Sequence, residues 1–131
     1  MNKFFLTFAA IAGALAVIAG AMLAHQLRTL MPDLAKEVYD TAVRYQFYHV
    51  FALMTCGILS EKFPGPAINR AGFFFILGIL LFSGSLYIIS VFITKGVSVP
   101  LAMGLITPIG GFAFILGWIF LTLAVLNRKI S

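Results

Sequence analysis

The chain has 131 residues, enough for one domain, and 62% of them are apolar while only 10% are charged. Soluble domains average about half apolar and about a quarter charged residues, so this composition excludes an ordinary water-soluble protein. The net charge of +5 does not indicate a nucleic-acid-binding protein, because the basic residues lie between long apolar runs instead of clustering together. The expected partner is the lipid bilayer.

Four apolar runs predict four membrane-spanning helices. A span needs about 20 predominantly apolar residues, because the hydrocarbon layer is about 30 Å thick. The runs cover residues 4–27, 45–60, 71–94 and 103–126. Backbone groups in lipid need partners within their own segment, and the runs lack the alternation of barrel strands. We therefore expect a single all-α domain, a four-transmembrane-helix bundle, whose first run is an uncleaved anchor.

The second run is short, and the residues before it predict an extension. Asp33 suits the positive end of a helix, and Lys36, Asp40 and Arg44 follow at intervals of four, where opposite charges can pair. The second helix is thus expected to begin outside the lipid. Residues 33–44 would form an interfacial amphipathic segment that lies at the headgroups or projects from them.

The charges between the runs predict the orientation. With four spans, both termini share one side of the membrane with the loop at residues 61–70. The opposite side carries four basic residues, but two of them, Lys36 and Arg44, lie on the second helix beside acidic residues. The positive-inside rule therefore predicts cytoplasmic termini. The basic residues on the terminal side are Lys3, Lys62, Arg70, Arg128 and Lys129, against the single acidic residue Glu61.

Small residues indicate where the helices pack. Lipid is as apolar as leucine, so helices in a membrane associate through close packing and interhelical hydrogen bonds. The first run carries a small residue every three or four positions from Ala9 to Ala24, and the fourth does so from Gly110 to Gly117. A leucine at Gly20 is expected to force the first helix from its neighbour. The predicted packing residues are Gly13, Gly20, Ala24, Gly110 and Gly117.

Four collinear motifs carry a resemblance to a known family. They are GAMLAH at residues 20–25, YQFYH at 45–49, LFSGSLY at 81–87, and TPIGG at 107–111 followed by FILGW at 114–118. Together they resemble the small bacterial inner-membrane proteins of unknown function represented by YgdD, which are related to the eukaryotic transmembrane protein 256. The resemblance covers essentially the whole chain. It implies a four-helix fold in the bacterial cytoplasmic membrane and no established activity.

Polar side chains of these motifs are predicted to form a cluster in the half of the bundle away from the termini. Polar groups that face lipid are costly, so they are expected to turn toward one another. The simplest interpretation is interhelical hydrogen bonding. The cluster consists of His25, Gln46, His49, Ser83, Ser85, Tyr87 and Thr107.

Two other interpretations of the cluster are open. His25 and His49 are candidate haem or metal ligands, although no second ligand type accompanies them, and no cofactor or metal is expected. Alternatively, a lipid, quinone or small-molecule pocket could be lined by aromatic residues and a histidine, which also occur as ordinary interface anchors. That lining would be Tyr45, Tyr48, His49 and Tyr87.

Enzymes and proton-driven transporters are the least favoured classes. No catalytic motif occurs, the lone Cys56 lies in an apolar run, and the four runs contain no ionisable carboxylate. Pro108 is expected in the first turn of the fourth helix, which is simpler than a broken-helix substrate site. We expect a structural or accessory membrane protein, either a homo-oligomer or a subunit of a larger membrane complex. The alternative is the binding or transport of a small molecule, lipid or quinone through the polar cluster.

Overall fold

The protein is all-helical in its computed structural model, which describes residues 1–127. No strand occurs in that part of the chain, so the all-α prediction is confirmed there. Arg128 and Lys129, which contributed to the predicted orientation, lie outside the described residues. Within residues 1–127 the chain forms four helices, α1 (Lys3–Ala24), α2 (Asp33–Leu59), α3 (Pro66–Thr94) and α4 (Leu101–Leu126).

Local chemistry sets the helix ends. The Asn2 side chain accepts a hydrogen bond from the Phe5 N–H at 3.2 Å and caps α1. Pro66 begins α3, where its missing N–H costs nothing. Gly65 before α3 and Gly96 after it have φ values of 144° and 67°, which residues with a Cβ rarely adopt. These positions fix where the chain turns back on itself.

Three of the described helices, α1, α3 and α4, are long and apolar enough to cross a membrane. The second helix has 27 residues, a sufficient length, but its first half carries acidic and basic side chains. Composition therefore separates α2 from its neighbours. The chain is a helical protein with several apolar candidate spans and one long helix of mixed character.

The first half of α2 lies beside the apolar second half of α1. The Tyr39 hydroxyl donates to the Ala19 carbonyl at 3.0 Å, and at the other end the Asn2 N–H donates to the Gly57 carbonyl at 2.9 Å. The two helices are thus antiparallel over their whole length. Within the expected interfacial segment 33–44, Ala35, Tyr39 and Val43 are buried in a cluster with residues of α1 and α3, and the position of the segment relative to the lipid stays a prediction.

The bundle has two hydrophobic cores. The terminus half contains the N-terminus, which lies 3.4 Å from Glu61, and a large core around Phe5, Phe75 and Phe114. The loop half contains the connections 25–32 and 95–100 and a smaller core. That core consists of Met31, Ala35, Tyr39 and Val43, with Tyr87 and Ile93 packed against it.

Two irregularities lie near the middle of the bundle. Residues Ile79–Ser83 of α3 form a π-helical turn, and Pro108 lies inside α4. The expectation that Pro108 occupies the first turn of the fourth helix is wrong, because α4 begins earlier, at Leu101 after Pro100. The helix continues through Pro108 to Leu126, so the TPIGG segment is not a helix break.

Candidate functional site

Gln46 forms hydrogen bonds to two neighbouring helices. Its Nε2 donates to the Ala12 carbonyl of α1 at 2.7 Å, and its Oε1 accepts a hydrogen bond from the Tyr87 hydroxyl of α3 at 2.7 Å. The side chain is buried. One amide therefore joins three helices, and neither its oxygen nor its NH₂ group lacks a partner.

Hydroxyl groups form two further interhelical hydrogen bonds. Ser83, in the π-helical turn, donates to the Ala42 carbonyl of α2 at 2.9 Å. Ser85 and Thr107 join α3 to α4 through their hydroxyls at 2.6 Å. Each hydrogen bond joins a short side chain to a neighbouring helix. Because these side chains are short, the two backbones must approach closely.

His49 uses both of its ring nitrogens. Nδ1 lies 2.7 Å from the Tyr45 carbonyl, and Nε2 lies 3.2 Å from the Trp118 indole N–H. A carbonyl oxygen can only accept and an indole N–H can only donate, so the proton belongs on Nδ1 and Nε2 is the acceptor. The ring also stacks on Phe114 at a centroid distance of 3.5 Å. In this arrangement no nitrogen lone pair of His49 is available to a metal or haem.

His25 lies apart from this network. It ends α1 and is exposed, and its backbone N–H donates to Ala21. None of the hydrogen bonds or ring contacts described for residues 1–127 joins its side chain to the cluster. Of the predicted cluster, the structure joins two pairs directly, Gln46 with Tyr87 and Ser85 with Thr107, and places no contact between the two histidines among the described residues. The same described range contains no group of three His, Cys, Asp or Glu side chains suited to a metal ion.

The candidate pocket residues are divided between two grooves. A groove of about 440 Å³ between α2 and α4 is lined by Tyr45, His49 and Trp118 among others. A second groove of about 330 Å³ lies between α1 and α3, with Gln46 and Tyr87 in its lining. Tyr48 lines neither and is half exposed. Neither of these two grooves holds all four of the aromatic and histidine residues expected to line one pocket.

The predicted packing residues differ in how closely the neighbouring helix approaches them. Gly110 and Gly117 are buried against α3, Gly13 and Gly20 are partly buried, and Ala24 is exposed. A methyl group at Gly117 would come within 2.6 Å of the Phe75 ring. At Gly20 it would meet the Val43 side chain at 3.6 Å, an ordinary contact.

Sequence reasoning missed two members of the network, Tyr39 and Trp118. Tyr39 donates to α1 and its ring packs on Tyr87 at 5.1 Å, while Trp118 donates to His49. The spacing of Tyr39 gave a signal, since it lies seven residues before Gln46 on the same helical face. Among residues 1–127, no buried side-chain nitrogen or oxygen lacks a hydrogen-bond partner.

Comparisons with known proteins identify relatives for nearly the whole chain. A family described as a protein of unknown function, DUF423, matches residues 19–111. The UPF0382 membrane protein YwdK of Bacillus subtilis is 41% identical over 95% of this chain and 98% of its own length. The UPF0382 membrane protein SAB0533 of Staphylococcus aureus is 39% identical over 93% and 94%.

A more distant relative carries the name that the motifs suggested. The UPF0382 inner membrane protein YgdD of Escherichia coli is 29% identical over 98% of this chain and 93% of its own. No solved structure matches the chain. The apolar helices and these matches agree, and they confirm the resemblance seen in the sequence. The chain is therefore a multi-pass membrane protein that belongs to the DUF423 family of unknown function.

Proposed function

We propose that the chain is a structural or accessory subunit of the bacterial cytoplasmic membrane, without enzymatic activity, which acts by associating with a second copy or a larger membrane complex. The observation that carries this proposal is the use of the polar side chains. The described network joins helix to helix through Gln46, His49, Ser83 and Ser85 and leaves no buried side-chain group unpaired. Such hydrogen bonds hold a bundle together, and the side chains that make them are not available to bind a metal or to act on a substrate.

The proposal includes a fourth span, α2. Its 27 residues correspond to a length of about 40 Å, which exceeds the hydrocarbon thickness of about 30 Å. It is antiparallel to α1 from the Asn2–Gly57 contact to the Tyr39–Ala19 contact, and α1 is itself a candidate span. A helix that lies along the full length of a spanning helix occupies the same range of depth in the bilayer.

If α2 spans the bilayer, the charged side chains in its first half carry a free-energy cost. Arg44 pairs with Asp40 at 2.9 Å, and both side chains are about half exposed (52% and 51%). They flank Ala42, whose carbonyl binds Ser83 near the middle of α3. A charged side chain at the centre of a bilayer costs about 2.5–3.5 kcal/mol by insertion measurements. A protein partner that covers the pair would remove this cost, which supports the role of a subunit.

Both termini are proposed to lie in the cytoplasm. The N-terminus lies beside Glu61, and the end of α4 at Asn127 lines the same depression as the turn after α2. This end of the bundle carries Lys3, Lys62 and Arg70. An excess of basic residues favours retention on the cytoplasmic side. A C-terminal reporter active only in the periplasm would contradict this orientation.

Extraction in native lipid tests the proposed role. The chain would be excised from its own membrane with a lipid-retaining polymer, and the particle's mass and protein content would be measured. The expected particle contains at least a second protein chain. A particle that holds one 14.3 kDa chain and a stoichiometric small molecule would contradict the proposal.

The groove between α1 and α3 favours a second candidate, the binding or transport of a lipid, quinone or other small molecule. It has a volume of about 330 Å³ and an apolar lining around Gln46 and Tyr87. An amphiphile whose polar group competes for the Gln46–Tyr87 hydrogen bond would fit this chemistry. Mass spectrometry of the excised particle would detect such a molecule, and a Gln46→Leu variant should lose it. An unchanged small-molecule content would contradict this alternative.

A further inference from the structure

Aromatic rings separate α2 from α4 and leave a groove between them. The glycines of α4 that another helix approaches most closely, Gly110 and Gly117, both face α3. Toward α2, the contact is made by His49, which stacks on Phe114 and accepts a hydrogen bond from Trp118. The space beside these rings, called the α2–α4 groove below, has a volume of about 440 Å³ and is lined by Tyr45, His49, Pro108, Gly111, Phe112, Phe114, Ile115 and Trp118.

The lining of the α2–α4 groove favours a neutral, flat molecule that arrives from the lipid. Phe112 is 67% exposed and Ile115 55%, so the outer side of the groove is open to the surrounding bilayer. In the described part of the chain, none of the residues that line it carries a charge. A phosphate or ammonium group would lack a counter-ion there, and an unpaired charge is costly in an apolar site. The aromatic side chains of the lining instead suit a planar ring.

One side chain of the lining has a hydrogen-bond donor to spare. The ring nitrogens of His49 and the indole N–H of Trp118 are already paired. Tyr39 and Tyr87 donate to neighbouring helices. Within residues 1–127, by contrast, the Tyr45 hydroxyl makes no hydrogen bond.

The depth of Tyr45 makes an unpaired hydroxyl unfavourable. The next residue, Gln46, binds the Ala12 carbonyl near the middle of α1, and the Tyr45 ring lies 6.4 Å from Phe114 near the middle of α4. Both of those helices are candidate spans. Tyrosines that anchor membrane helices lie at the headgroups, not at this level. In the hydrocarbon region lipid offers no acceptor, so the hydroxyl calls for a molecule that brings one.

We propose that the α2–α4 groove binds the ring of a membrane quinone, with the Tyr45 hydroxyl donating to a ring carbonyl. A quinone is neutral and flat, carries carbonyl acceptors and dissolves in the hydrocarbon layer, so it meets each condition that the lining sets. The groove volume lies within the range of about 300–1,000 Å³ found for ligand pockets, which often lie between the helices of bundles. This inference goes beyond the proposed accessory role and does not depend on it.

The chain contains its own reporter for this site. Trp118 is the single tryptophan and lines the groove, and quinones quench indole fluorescence on contact. The protein in lipid nanodiscs would be titrated with a 1,4-naphthoquinone that carries a short isoprenoid chain. The expected quenching saturates at about one quinone per chain. Quenching that only rises in proportion to the quinone concentration would report random collisions and would overturn the proposal.

Three leucine variants locate the site. A Cβ at Gly111 meets only the Phe82 ring, at 3.8 Å, so Gly111→Leu should fold and fill the α2–α4 groove. Gly104→Leu is the matched control, because a Cβ there meets nothing within 4 Å and Gly104 is outside the lining. Gly84→Leu fills the groove between α1 and α3. Gly111→Leu should weaken quinone binding at least tenfold, and the other two should stay within twofold of the natural chain. Equal affinities of all three, or a loss confined to Gly84→Leu, overturns the proposal.

A conservative pair of variants tests the donor. Tyr45→Phe keeps the ring and removes only the hydroxyl, which should weaken quinone binding about fivefold. Tyr48→Phe is its control, since the Tyr48 hydroxyl also makes no hydrogen bond within residues 1–127 but Tyr48 lies outside the groove lining. Unchanged affinity of Tyr45→Phe, or equal losses in both variants, overturns the assignment of Tyr45 and the quinone site with it.

The particle excised in native lipid separates this inference from the proposed function. A quinone recovered in stoichiometric amount together with a second protein chain supports both. A second chain without quinone overturns the quinone site and leaves the accessory role standing. A quinone bound to a single chain supports the quinone site and overturns the accessory role.

Discussion

The two halves of the bundle are held together by different means. In the terminus half, aromatic rings fit where glycine leaves room on the opposite helix: Phe75 against Gly117, and Phe5 against Gly72. In the loop half, the described core is smaller, and hydroxyl groups of Tyr39 and Ser83 bind carbonyls of neighbouring helices.

This difference predicts where the stability lies. Interhelical hydrogen bonds within membranes average about 0.6 kcal/mol, because polar groups of the unfolded chain also find partners in the membrane. Removal of a large buried ring leaves a cavity that costs several times as much. We therefore expect the terminus half to contribute most of the free energy of unfolding. The hydrogen bonds of the loop half are expected to set the positions of the helices relative to one another.

The largest effect is expected for Phe75→Ala. The ring is fully buried, lies 5.1 Å from the Trp118 ring and 5.8 Å from His49, and fills the space beside Gly117. Its loss should lower the free energy of unfolding by about 3–5 kcal/mol. Unfolding in mixed micelles, followed by the fluorescence of the single tryptophan, would measure this. The control Phe73→Ala removes an exposed ring and should change little; equal losses would contradict the two-core picture.

Gly110→Ala comes next. A methyl group there would overlap the backbone nitrogen of Phe82 and come within 2.8 Å of its Cα, in the π-helical turn of α3. Backbone atoms yield less readily than a side chain, so the helices should separate at a cost of about 1–3 kcal/mol. Gly104→Ala in the same helix meets nothing within 4 Å. If both variants melt at the same temperature in detergent, α3 and α4 are not in close contact.

A smaller effect on the free energy of unfolding is expected for substitution of Gln46. Gln46→Leu removes the hydrogen bonds to Ala12 and Tyr87, which should cost about 1 kcal/mol in total. Tyr87→Phe removes one of the two. A double-mutant cycle should give a coupling of about 0.6 kcal/mol, and strict additivity of the two variants would show that they do not interact.

The sequence predicted the helical class and hydrogen bonds between helices by side chains of the motifs, because both follow from local chemistry. Long apolar runs require helices in lipid, and buried polar side chains require partners. Gln46 and Ser85 were therefore named in one cluster with their side-chain partners Tyr87 and Thr107. The backbone partner was not predictable, since the Ala12 carbonyl that binds Gln46 belongs to a helix 34 residues away.

The interfacial position of residues 33–44 stays a prediction, whereas the packing of this segment was not predictable from its charges. Charge spacing indicated a segment outside the lipid, and it did identify the Asp40–Arg44 pair. However, the same turns carry Ala35 and Tyr39, which are buried against α1 and α3. Tertiary packing decides between the two faces of such a helix, and the pattern of one helix does not reveal what its neighbours offer.

The smallest effect is expected for Gly20→Ala, although the sequence places Gly20 in the same kind of small-residue stripe as Gly110. A methyl group at Gly20 would meet the Val43 side chain at 3.6 Å, an ordinary contact. Alanine also favours a helix over glycine by about 1 kcal/mol in water, which offsets any crowding. The melting temperature in detergent should therefore stay within a few degrees of the natural chain, whereas Gly110→Ala lowers it clearly. A Gly20→Ala loss as large as that of Gly110→Ala would mean that α1 and α2 pack as tightly as α3 and α4, and the contrast between the two kinds of interface would fail.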